Sequence, residues 1–136
     1  RHDVLFVSLH ADPNTQYPYF WGHADERGAG PGEGCTINFP LPRGTGEAEW
    51  FLTLAEALMH IRMFGAAALV VSLGVDTCVG DGVGDFGLTP QSFTQLGRTM
   101  ARLGLPTVFV PEGGYNLAQI GACVRNVLLG FEEALT

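Results

Sequence analysis

Three short runs rich in Val, Leu and Phe constrain this chain more than any other feature: Val4 to Leu9, Ala68 to Leu73 and Thr107 to Val110. A strand that is apolar on both faces must be covered on both faces, which is the situation of a parallel strand inside an α/β sheet. The intervening stretches have helical period. Gly46 to Phe64 sets Trp50, Leu54, Leu58 and Ile61 three and four residues apart, on one face of a helix that should pack on the sheet. Thr89 and Pro90 read as a cap and first turn opening a helix through about Leu103, which Gly104 and Pro106 close. A last helix is expected over about Leu117 to Leu135. Thr36 to Leu41 is a candidate further strand whose prolines point to an edge or an extended link. Strands alternating with helices of this length imply an α/β fold with right-handed crossovers.

One stretch has no period at all. Ala11 to Gly34 is rich in glycine and proline and carries Tyr17, Tyr19, Phe20 and Trp21, so it reads as a single long loop of functional type. In open α/β sheets ligands gather beyond the carboxyl ends of the strands. His10, Asp12 and this loop follow the first run, Gly74-Val75-Asp76-Thr77 the second, and Glu112-Gly113-Gly114-Tyr115 the third. If the strands are neighbours, a carboxylate, a phenol and an aromatic loop share one rim, a set suited to holding a metal, donating to an oxyanion and walling an apolar slot.

Spacing alone also admits blander roles. On spacing alone Asp76 reads first as a turn or cap residue, and Tyr115 first as a packed ring with its hydroxyl in water. His10, His23 and His60 lack metal-ligand spacing such as H-E-x-x-H, and Asp25, Glu26 and Glu33 read as solvated loop charges. No strand is followed by a phosphate-binding glycine loop, which counts against a flavodoxin-like domain with a phosphate-bearing ligand.

Composition narrows the classes further. A formal net charge of −7 leaves no basic stripe for phosphates, so a nucleic-acid partner is not expected and cationic partners fit the field better. No apolar run approaches the roughly 20 residues of a membrane span. Cys35, Cys78 and Cys123 are far apart and form no CxxC, which leaves a reducing, cytoplasmic setting as the default.

Three strings taken together resemble one family: Ser8-Leu9-His10-Ala11-Asp12-Pro13 with Tyr17-Pro18-Tyr19-Phe20; Ser72-Leu73-Gly74-Val75-Asp76-Thr77; and Pro111-Glu112-Gly113-Gly114-Tyr115-Asn116. The family is the zinc-dependent histone deacetylases and acetylpolyamine amidohydrolases, whose parallel-sheet fold with helices on both faces is shared with arginases. Gly28 to Gly34 and Asn38 to Pro42 match as well, so the resemblance runs along nearly the whole chain. It implies removal of acetyl groups from acetylated small amines or acetyl-lysine, with Asp76 as a zinc ligand and Tyr115 donating to the tetrahedral oxyanion. It further implies that Phe20, Gly113 and Gly114 contact substrate, and that Ser8 and the carbonyl of Leu9 adjoin a structural monovalent cation, K+.

Two departures accompany the matches. The Asp-x-His pair that precedes the first strand in this family, and a paired histidine motif further upstream, are not among these residues. The expectation is therefore residues 1–136 as the carboxyl-terminal part of one catalytic domain. Such a piece should neither hold zinc tightly nor deacetylate by itself, and should associate with itself or with a complementary chain. The alternative is a non-catalytic binding module that keeps the fold. The second departure is Asp81-Gly82, where the family commonly has Asp-Pro, at a wall of the slot that includes Val83.

Overall fold

The computed structural model describes residues 1–136 and divides them into two compact units, Arg1–Ala66 and Ala67–Thr136. Both are α/β and each is built on one parallel strand pair.

In the first unit β1 (Phe6–Ala11) pairs in parallel with β2 (Thr36–Leu41), from Phe6 opposite Thr36 to Ala11 opposite Leu41. β1 therefore begins two residues later than its apolar run suggests, and His10 lies within the strand rather than beyond it. Thr36 to Leu41 is a full strand. Pro40 cannot donate to a ladder, which suits a strand paired on one side only within these residues. Helix α1 (Glu47–Phe64) comes next, with Glu47 and Glu49 in its first turn, Arg62 in its last, and Gly65 closing it in the left-handed conformation. Trp50, Leu54, Ala57 and Leu58 form its buried face, while Ile61, expected there, is only half-buried. The His60 ring sits tilted 6.2 Å from that of Phe39 on β2.

In the second unit β3 (Leu69–Leu73) pairs in parallel with β4 (Thr107–Pro111), Leu69 opposite Thr107 and Leu73 opposite Pro111. Helices α2 (Ser92–Ala101) and α3 (Ile120–Glu133) pack on each other around Phe93, Leu96, Cys123 and Val127. Their crossing is close because each presents a glycine. A Cβ at Gly97 would strike the Val127 carbonyl, and one at Gly130 the carbonyl of Thr94. Phe131 on α3 meets Phe109 on β4 edge to face at 5.2 Å.

Both helices of this unit begin later than their sequence signals. At Thr89 the backbone N–H donates to Ser92 Oγ at 3.0 Å while Ser92 N–H returns to the Thr89 carbonyl, so a turn occupies the expected start of α2. Asn116 takes the Gln119 and Ile120 amides on its carbonyl and the Ala118 amide on its side chain, which holds residues 116–119 as a turn ahead of α3. On the strand pair, Val70, Val108 and Val110 remain exposed.

Candidate active site

The β3–β4 ladder continues past the strand ends into the loops beyond them. Glu112 N–H donates to the Leu73 carbonyl at 3.1 Å and Val75 N–H to the Gly113 carbonyl at 2.8 Å, so the two loops leave the sheet side by side. Asp76 comes next, half-buried, and its carboxylate lies in a groove that only glycines can form. A Cβ on Gly74 would stand 2.7 Å from Asp76 Oδ1, and one on Gly113 would collide with the Asp76 carboxylate itself. Gly114, at φ 147°, runs so near Val75 that a Cβ would lie 2.6 Å from its Cγ2. The glycine pair is thus the condition for bringing residues 112–115 against Asp76.

Burial pushes the Asp76 carboxyl above the usual carboxylate range, and the negative charge of Asp81 pushes the same way. The amides of Asp76 and Thr77 oppose this without cancelling it. A carboxylate that is costly to ionise where it stands gains from a cation. That suits Asp76 to the side of a cation, while its contacts with the Asp76 and Thr77 amides are those of a turn residue. No group of three or more His, Cys, Asp or Glu side chains in residues 1–136 is placed to hold a metal. A catalytic zinc takes about three protein ligands, of which Asp76 would be one.

Tyr115 leaves this junction 57% exposed. Its backbone is held. Asp81 Oδ2 accepts the Tyr115 N–H at 2.7 Å and the Asn116 N–H at 3.1 Å. Oδ1 accepts Val83 N–H at 2.8 Å and Gly84 N–H at 3.1 Å, while the Asn116 side-chain amide donates to the Gly80 carbonyl at 3.0 Å. Partial burial raises the Asp81 carboxyl, but the four amide donors outweigh it and hold the group below the usual range. Sequence reasoning noted Asp81 only for its unusual successor. The Asp-Gly pair does signal a local turn through Oδ1, whereas the reach to Tyr115 has no local signature.

The first unit holds the other residues singled out from the sequence. Ser8 and Leu9 lie on β1, opposite Asn38 and Phe39. Ser8 Oγ is 2.8 Å from His10 Nδ1, and His10 Nε2 is 2.8 Å from the Gly22 carbonyl. A carbonyl only accepts, so with a neutral ring Nε2 carries the proton and the Ser8 hydroxyl donates to Nδ1. The aromatic loop is pinned at its far end: Glu26 takes the Gly22 and His23 amides, and Asn38 Nδ2 donates to the His23 carbonyl at 3.1 Å. Those two amides hold the Glu26 carboxyl below its ordinary range. Within this loop Phe20 is 78% exposed, beside exposed Tyr19 and Trp21. His10, Glu26 and Asn38 therefore organise the loop, a role that no spacing announced.

Residues 1–131 match the histone deacetylase domain family. The chain is 49% identical over 134 residues to acetylpolyamine amidohydrolase 1 of Pseudomonas aeruginosa, an overlap of 98% of this chain and 39% of that protein. It is 35% identical over 136 residues to histone deacetylase clr3 of Schizosaccharomyces pombe, covering 94% of this chain and 20% of that one. Among solved structures, the acetylpolyamine aminohydrolase from Burkholderia pseudomallei superposes with a TM-score of 0.95 at 42% identity, over 98% of this chain and 39% of that one. The chain thus spans about two-fifths of the length of the amidohydrolases it matches.

Proposed function

The chain belongs to the histone deacetylase family, and on that footing we propose that it forms the carboxyl-terminal part of the catalytic domain of a zinc-dependent amide hydrolase. The reaction proposed is removal of acetyl groups from acetylated amines, with acetylated polyamines ahead of acetyl-lysine as the substrate class. The similarity to acetylpolyamine amidohydrolases supports that order, and so, more weakly, does the net charge of −7. The observation that carries the reading is the Asp76 carboxylate lodged against Gly113 at the root of the segment that bears Tyr115.

Asp76 would supply one ligand of the zinc site. The chemistry that zinc would supply when bound is Lewis-acid polarisation of the amide carbonyl and acidification of a water. Tyr115 donates its hydroxyl to the carbonyl oxygen as charge develops there, an interaction that is stronger in the transition state than in the ground state. Gly113 and Gly114 let the backbone approach the reacting group, and Phe20 is assigned to the aliphatic stem of the acylated amine. Ser8 Oγ and the Leu9 carbonyl, both oxygen donors, are assigned to a structural K+.

The test is hydrolysis of acetylputrescine and of an acetylated fluorogenic lysine by the intact protein, alongside its metal content. Stoichiometric zinc is expected, with turnover lost in Asp76→Ala. Tyr115→Phe should lower kcat by about 10²–10³-fold, the cost of one oxyanion donor. Near-normal turnover in Tyr115→Phe would overturn its role, and full activity after zinc removal would overturn the reaction class.

A further inference from the structure

We propose that Asp81 is the positioning residue for Tyr115, fixing the hydroxyl through the main chain rather than by touching it. The inference rests on the reading of Tyr115 as the oxyanion donor. Tyr115 extends from a loop and is mostly exposed. Whatever sets the direction of its Cα–Cβ bond must therefore act on the backbone of residues 113–116. Two groups do. Val75 N–H holds the Gly113 carbonyl at one end, and Asp81 takes the Tyr115 and Asn116 amides at the other.

The two oxygens of Asp81 divide the task. One closes its own turn on Val83 and Gly84, which fixes the carboxylate, and the second reaches a segment 34 residues away in sequence. Hydrogen bonds to an ionised acceptor are roughly twice as strong as neutral ones. The Asn116 side chain returns to the Gly80 carbonyl and ties the two segments a second time. An asparagine at 81 has the same size but only one accepting side-chain atom, so one pair of amides must lose its partner. A misplacement of about 1 Å at a catalytic group costs up to about 10²-fold in rate.

The experiment is a double-mutant cycle in the intact protein, at saturating zinc because the Asp81 charge also bears on Asp76. Asp81→Asn should lower kcat by about 10- to 10²-fold and leave KM within about threefold. On a Tyr115→Phe background the same substitution should change kcat by no more than about twofold, because the group it positions has gone. An undiminished loss on that background, or a rise in KM at constant kcat, would overturn the proposal. A Tyr115→Phe enzyme with full kcat would instead remove the reading beneath it. Amide hydrogen exchange gives a test independent of any variant: Tyr115 and Asn116 should exchange slowly in the unsubstituted protein, and free-peptide rates there would refute the anchor.

Discussion

Replacing Gly97 by alanine isolates the closest approach in the second unit. Alanine is favoured over glycine inside a helix by about 0.8–1.0 kcal/mol, so propensity alone predicts a gain. The structure predicts a loss. The new methyl group would strike the Val127 carbonyl and stand 2.7 Å from Phe131 N, both backbone atoms of α3 that cannot swing aside as a side-chain tip would. α2 and α3 must then separate, loosening Phe93 and Val127, which are fully buried, and the edge contact of Phe131 with Phe109. Overpacking of this kind costs about 1–3 kcal/mol, and collision with two backbone atoms points to the upper end. After the propensity gain, a net loss of about 2 kcal/mol is expected.

Gly121 supplies the control, since it lies on α3 with nothing within 4 Å of its added Cβ, and Gly121→Ala should be neutral or stabilising. Urea unfolding of the two variants in the intact protein, followed by far-ultraviolet circular dichroism, measures the difference directly. Equal midpoints at equal slope would refute the close crossing as the reason for glycine at 97.

Two other positions give further expected outcomes. Gly113→Ala drives a methyl group into the Asp76 carboxylate, so the intact protein should lose zinc to a chelator faster and lose about 10²-fold in turnover. Wild-type zinc retention and turnover together would remove Asp76 from the metal site. The Cys123 thiol, fully buried, is held above its ordinary range by burial first and by the neighbouring Cys78 second. The unfolded chain therefore ionises this thiol first. Stability that is complete below pH 9.0, the ordinary thiol value, should decline as pH rises above it, and Cys123→Ala should flatten that decline in urea midpoints taken under reducing conditions.

Strand and helix order was legible because continuous apolar runs and amphipathic helices write their patterns into sequence over many residues, even though Val70, Val108 and Val110 stay exposed on the second strand pair. Element ends were not, because hydrogen bonds decide them. β1 starts at Phe6 because pairing with β2 fixes its register, and it accommodates His10 because Ser8 and the Gly22 carbonyl satisfy both ring nitrogens. α2 and α3 start late because Thr89, Ser92 and Asn116 offer the backbone a turn first. At the candidate site, a carboxylate after a strand and a tyrosine after two glycines could be read directly. The space that the glycines leave could not, since only the fold brings Gly113 onto Asp76. Asp81 was hidden for the same reason, its partners lying 34 and 35 residues along the chain.

Because Asp81 grips amides, it is indifferent to which side chain residue 115 carries. The frame at that position can stay constant while the phenol is exchanged. A graded series of fluorinated tyrosines installed at 115 would then vary donor acidity alone, and the slope of log kcat against phenol pKa would report how much negative charge the carbonyl oxygen bears at the transition state. A carboxylate that never meets the substrate thereby makes the chemistry of its neighbour separable from the architecture that presents it.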